Sequence, residues 1–497
     1  MERDNSRFPA ASYKEVVLEP LFESFKEHFY QELMAINYAH TVMLAEQNII
    51  TVGEAKEIIQ GLYEIDKEID LTSLKYTGEF EDVYFYIEQE LIKKISIEIA
   101  GKMHTGISRN DINVTIYKMK IELYLSSLIN HLVKLIDSLI KVAEENKATI
   151  IIAYTHGQPA QPTTFGHYLG ALIEILERDL DRLFQAYRVV DKSSMGAAAI
   201  TTSGFNLNRE RMAELLGFSE VQENSYGCIA AVDYLTEVYS NLKILFINLG
   251  RFIQDLGQWT SFELSHLYVP DEFVQISSIM PQKRNPVPIE HMRILSSIMI
   301  GHCDTVVNAM HNTPFTDMND AEDSIQVIGF KAFLTGERVL KLLADFVLNL
   351  KVNKEKIKEH IGETYVSITE LADSLVREEG ISFRQAHEIT SQLVTTLIKE
   401  KKPLGDIKYE LFRSIFTETI KREPEITETK LRKFVDPEYF ISVREQLGGP
   451  GPQALRRSLS NYKDKLINFQ KKNKKIKEFK EVATNKLNKI IREYMQE

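Results

Sequence analysis

Residues 235–259 read LTEVYSNLKILFINLGRFIQDLGQW, and within them Leu235, Val238, Leu242, Leu245, Leu249, Phe252, Leu256 and Trp259 follow at steps of three and four. Side chains at that spacing share one face of an α-helix, so the stretch is one apolar seam about seven turns long. The same rhythm runs between Asp111 and Lys147 through Ile121, Leu125, Leu128, Leu132, Leu135, Leu139 and Val142. It returns after a proline-rich segment at Leu169, Leu172, Leu176, Leu180 and Leu183, and a fourth helix is expected from Ile328 to Leu350. Recurring long seams predict an all-α chain built on a central bundle of long helices. Seam residues read first as core packing, and seams this long exceed what one chain can cover, which predicts self-association.

A chain of 497 residues exceeds one compact core and suggests about three domains. We expect an N-terminal helical domain over 1–110, the long-helix bundle over 111–360 and a C-terminal helical domain over 361–497. With 44% hydrophobic and 26% charged residues the composition is that of an ordinary globular protein. Cys228 and Cys303 are too few for a disulfide framework, which points to a reducing compartment, the cytoplasm by default. The first residues, MERDNSRFPAASYKE, lack the apolar run of a secretory signal, and no uninterrupted apolar stretch of about 18 residues suggests a membrane span. A net charge of −11 argues against nucleic-acid binding, so an anionic small molecule needs a locally cationic site. The Lys-rich end from Asn461 onward reads as a solvated surface helix. No HExxH, Walker loop or CxxC is present, so no metal or nucleotide cofactor is implied.

Three segments without helical rhythm interrupt the seams: GKMHTGISRND (101–111), YTHGQPAQPTTFGH (154–167) and QISSIMPQKRNPVPIEH (275–291). Their prolines break helices, and loops on a rigid scaffold often carry binding residues. In the third, Lys283 and Asn285 offer an ammonium and an amide suited to a carboxylate or an enolate-like anion, with Ser277 and Ser278 as nucleophile or base. The plain alternative is a surface turn in which Ser caps a helix and Lys sits in solvent. Arg109, Asn110 and Asp111 could open a helix, with Asp at its positive end, and bind an anion there too. His156 is either a hydrogen-bonded structural residue or a proton carrier, while His104, His167 and His387 read as structural.

SSIMPQKRNP resembles the signature loop of the fumarase/aspartase superfamily, whose members add to, or eliminate across, fumarate. HTGISRND, THGQPAQPTTFGH, TELADSLVREEGISFRQAHEI (369–389) and SVREQLGGPGP resemble the argininosuccinate lyase branch in particular. Adenylosuccinate lyase shares the MP-x-KRNP form without the SRND loop and is the weaker match. The resemblance spans nearly the whole chain and implies a three-domain all-α fold, a homotetramer with shared active sites, and a carbon–nitrogen lyase. Such an enzyme splits an N-substituted aspartate reversibly into fumarate and an amine.

Carried over position by position, the resemblance implies that Ser277 removes the proton beside a substrate carboxylate and that Lys283 and Asn285 stabilise the resulting aci-carboxylate. It implies that His156 assists protonation of the leaving nitrogen with Glu290 as its charge partner, and that Ser108, Arg109, Asn110 and Thr155 bind substrate. Three departures stand out. Ile276 replaces the glycine usual before the paired serines, and 316–324 reads TDMNDAEDS where the family has Tyr-Asn-Lys-Asp-Leu-Gln-Glu-Asp-Lys. Near the N-terminus KEHFYQE (26–32) replaces Asp-Arg-Arg-Leu. Both of the latter changes fall on the amine side, so an amine other than arginine, such as a diamine or another amino acid, is expected to be preferred. A non-catalytic crystallin-like protein is the other reading, against which the joint presence of Ser277, Lys283, Asn285, His156 and Glu290 argues.

Overall fold

The computed structural model describes residues 9–496; the leader-free reading of residues 1–8 lies outside them. Four N-terminal helices, α1 (Glu19–His28), α2 (Tyr30–Glu46), α3 (Val52–Glu68) and α4 (Val83–Lys94), lead into the long α5 (Arg109–Glu145). A hairpin of β1 (Ile150–Thr155) and β2 (Gln158–Thr164) then feeds α6 (Phe165–Val190), followed by α7 (Asp233–Trp259). The short pair β3 (Gln275–Ile276) and β4 (Arg284–Asn285) precedes α8 (Val287–Ala309) and α9 (Asp323–Asn349). The C-terminal part holds α10 (Ile368–Glu379), α11 (Phe383–Lys399), α12 (Tyr409–Ile420) and the 45-residue α13 (Pro452–Gln496).

The bundle closes on itself. Helix α5 packs on α6, α6 on α7, α7 on α8, α8 on α9, and α9 returns to α5. The eight seam residues of α7 are all buried, as are those expected on α5 and α6. Helix α5 is long and apolar enough to cross a membrane by length and composition, yet much of its most apolar window is buried inside this body. Glycines let α9 approach α7: a Cβ at Gly329 would overlap the Tyr239 hydroxyl, and one at Gly336 would lie 2.9 Å from Phe246 Cζ.

Two large hydrophobic cores and a small third one around Ala197, Cys228 and Ile229 emerge among the described residues. The first runs from Leu18 to Ile357 without a break at residue 110, because the N-terminal helices and α5 share buried side chains. Leu371 to Val435 form the second. Helix α13 belongs to the first, burying Leu455, Leu459, Tyr462, Leu466, Phe469, Leu487 and Ile491 against the main body. The expected Lys-rich surface helix is therefore solvated on one face only. Lys465 pairs with Glu177 at 2.7 Å and Lys480 pairs with the buried Glu122.

Candidate active site

Ser108 caps α5: its backbone N–H donates to Asp111 Oδ1 at 2.9 Å, and its hydroxyl accepts from the Asn110 N–H. Asp111 is fully buried and also accepts from the Gly196 and Ala198 N–H groups at 2.9 and 3.0 Å. Burial pushes its carboxyl up to about 7, and those N–H donors oppose the shift. Arg109 donates to Asp82 at 2.8 Å and lies 3.1 Å from Glu81, and Asn110 Nδ2 donates to the Ala199 carbonyl.

The second segment is a β-hairpin, where the sequence reading saw only a loop. The paired ends Thr155 and Gln158 leave His156 and Gly157 as a two-residue turn, with φ of 53° and 73°. Two successive positive φ values match the twist of a tight hairpin and explain the glycine. Thr155 and His156 stand exposed at its tip. The hairpin leans on the C-terminal unit through Gln161 and Thr369, and His167, as expected, is structural: it bonds Thr163 and the Gly448 carbonyl. His104 likewise bonds Tyr84 and Glu88.

In the third segment β3 and β4 pair, so residues 277–283 form a loop tied at its base. Arg284 anchors that base by pairing with Asp271, donating to the Val269 carbonyl at 2.8 Å and stacking on Tyr268, so it is engaged structurally. Asn285 Nδ2 spans the base to the Gln275 carbonyl at 3.1 Å. Ser277 Oγ accepts from the N–H groups of Met280 and Ile279, and Lys283 and Glu290 are exposed. Ile276, in the place of the expected glycine, is 78% exposed and already paired across to Arg284.

Among the described residues no hydrogen bond or ion pair joins Ser108–Asn110, Thr155–His156 and Ser277–Glu290 within the chain. What the chain does close is a cavity of about 280 Å³ at the start of α5, where Arg109 and Asn110 meet Glu81, Asp82, Asp317, Glu322 and Asp323. Burial pushes Glu322 up to about 7, with Asp317 and Asp323 adding to the shift, and burial raises Asp317 as well. Asp323 is pushed up to about 6, again by burial, with the hydrogen bond from Tyr117 pulling the other way. The sequence reading singled out 316–324, which holds Asp317, Glu322 and Asp323, but missed Glu81 and Asp82; four acids and no base within 316–324 were the available signal. Lys26, which could have supplied the amine side with a cation, is buried and bonded to the Leu74 carbonyl and Glu23.

The lyase family model matches residues 18–301, and the argininosuccinate lyase C-terminal model matches 365–442. Argininosuccinate lyase 2 of Agrobacterium fabrum is 49% identical over 94% of this chain and 93% of its own length. Argininosuccinate lyase of Methanocaldococcus jannaschii is 35% identical over 92% and 94%. Among solved structures, an EDDS lyase variant with bound fumarate superposes with a TM-score of 0.86 at 26% identity, covering 99% of this chain and 97% of that one. A class II fumarase from Schistosoma mansoni, at 18% identity, TM-score 0.67 and coverage of 88% and 96%, shares the fold. With its helical ring, its C-terminal unit and both models matched, the chain belongs to the argininosuccinate lyase family, a family of carbon–nitrogen lyase enzymes.

Proposed function

We propose that the protein cleaves an N-substituted L-aspartate of the argininosuccinate type, reversibly, to fumarate and an amine. The observation that carries this is family membership along the whole chain together with an intact set of chemical groups on three segments. Ser277, deprotonated, takes the proton from the carbon beside the free carboxylate. The electron pair moves into that carboxylate, and Lys283 and Asn285 stabilise the charge that develops there. The aci-carboxylate then collapses, the carbon–nitrogen bond breaks, and the leaving nitrogen receives a proton from His156, directly or through water, with Glu290 as its charge partner. Thr155, Ser108, Arg109 and Asn110 hold the substrate.

No hydrogen bond or ion pair joins the three groups among the described residues, which supports a site assembled from several copies, in a homotetramer. Supporting this, Ile244 and Ile247 on α7 and Ile294 and Ile298 on α8 leave an apolar stripe exposed across neighbouring helices. The two free, buried cysteines support a cytoplasmic location. Incubating the purified protein with argininosuccinate, and separately with fumarate plus amines, while following fumarate absorbance tests the reaction. Appearance or consumption of fumarate is expected; its constancy in every mixture would refute the reading.

A further inference from the structure

Helix α5 buries a file of polar side chains on one face. Asp111, Thr115, Lys118, Glu122 and Ser126 follow at steps of four, three, four and four, and all five are buried. Lys118 is the outlier among them. Its ammonium donates to the Lys192 carbonyl at 3.0 Å, Ser194 Oγ at 3.1 Å and Gln222 Oε1 at 2.8 Å, and it lies 5.5 Å from the centre of the Tyr234 ring. All three acceptors are neutral, and among the described residues Lys118 forms no ion pair. Burial accordingly pushes the ammonium down to about 8. A buried charge without a countercharge adds little to stability, and an apolar side chain of similar volume would pack at lower cost.

What Lys118 holds is a turn that reaches the start of its own helix. Residues 192–193 pair in parallel with 220–221, and Lys118 bonds across the exit of that pair, to Ser194 and Gln222. Arg209 adds bonds to the Met195 and Gln222 carbonyls at 3.0 and 2.8 Å. Further along, Ala198 and Thr202 have φ of 51° and 65°, left-handed values that residues with a Cβ seldom adopt and that persist where neighbours fix them. The Gly196 and Ala198 N–H groups bind Asp111, and the Ala199 carbonyl accepts from Asn110 Nδ2 at 3.1 Å. Asn110 Oδ1 accepts from the Ser108 hydroxyl at 3.2 Å, so the amide is oriented at both atoms and keeps one N–H for a ligand.

We propose that Lys118 is a positioning residue for substrate binding: by fixing the turn at 194–199 it holds the Asn110 amide in the orientation that meets the substrate. The inference rests on the lyase reading above, which gives Asn110 to the substrate. Every link, from Lys118 to Ser194, along the turn to Ala199 and across to Asn110, lies within one chain. Lys118 itself is buried about two turns along α5 from Asp111, so its loss acts on affinity more than on the chemical step.

A double-mutant cycle on the full-length protein tests this, with argininosuccinate, or fumarate plus whichever amine it takes, and KM and kcat as the readout. Lys118→Gln is expected to raise KM about tenfold with kcat within about threefold of wild type. In an Asn110→Ala background, where the amide is gone, the same change is expected to raise KM less than about twofold. An equal rise in both backgrounds would make Lys118 a support of the fold at large, and an unchanged KM in Lys118→Gln would show that the turn needs no such tie; either result overturns the inference. Should Lys118→Gln fail to fold, Ser194→Ala, which removes one of the three acceptors, carries the cycle. It is expected to raise KM about threefold beside Asn110 and hardly at all beside Asn110→Ala, and equal effects would overturn the inference. If the wild type reacts and Asn110→Ala leaves KM unchanged, the inference falls while the lyase reading stands. If neither argininosuccinate nor any mixture of fumarate and amine reacts, the lyase reading fails and the inference with it.

Discussion

Among the described residues Ser277 Oγ is engaged by two N–H groups of its own loop, so Ser277→Ala removes a reactive hydroxyl with little loss of packing. Turnover is expected to fall by about 10²- to 10⁴-fold with the helical circular dichroism unchanged. A variant keeping more than about a tenth of the activity would reassign the base. His156 calls for a different replacement. Its φ of 53° is left-handed, a region Asn tolerates, so His156→Asn removes the proton carrier while keeping the turn. A fall in kcat with KM nearly constant is expected, and a rise in KM alone would make His156 a binding residue. The cavity acids give a pH signature. Glu322 and Asp323 are held up at about 7 and about 6, above the ordinary value near 4 that the unfolded chain displays. Between those limits the unfolded state has released protons that the folded state retains, so stability falls as pH rises through the window. Glu322→Gln removes one such group, and its melting temperature should decline less than wild type between about pH 4.5 and 7. Parallel declines would exclude Glu322 from that linkage.

At the scale of elements, the tight contact of α9 on α7 is the clearest mechanical constraint. Gly329→Ala places a methyl against Tyr239, whose hydroxyl is buried without a partner, and overpacking of this kind costs about 1 to 3 kcal/mol. Chemical denaturation should register that loss; an unchanged midpoint would mean that the helices separate freely. The long helices were legible because period-3.6 seams such as Leu235 to Trp259 need no tertiary information. The hairpin was not, although Ile150–Ile152 is a β-branched run and His156-Gly157 a turn signal, because prolines at 159 and 162 suggested irregular chain. Helix α13 was half read: its lysines drew attention from Leu455, Leu459, Tyr462, Leu466 and Phe469, a seam as regular as that of α7. The cavity was beyond reach for another reason. Glu81–Asp82 and Asp317–Asp323 lie more than 200 residues apart and meet only through the fold.

At the scale of the whole molecule, a closed ring of five long helices carries the start of α5, the hairpin tip and the 277–283 loop, and among the described residues no hydrogen bond or ion pair joins the three. Three domains were expected; the N-terminal helices and α13 share the bundle's buried core, and the C-terminal unit has a smaller core of its own. Rigid seams with an exposed apolar stripe favour symmetric association, and light scattering of the active protein should give the mass of a tetramer rather than a monomer. Ser277→Ala and His156→Asn each disable every site when alone. If a site draws its serine and its histidine from different copies, chains mixed at random restore both residues in about a quarter of the sites. The decisive measurement is therefore fumarate release by the two variants refolded together against each refolded alone. Activity regained to about a quarter of wild type is the expected result; a mixture as inactive as its parents would contradict a site built from several chains.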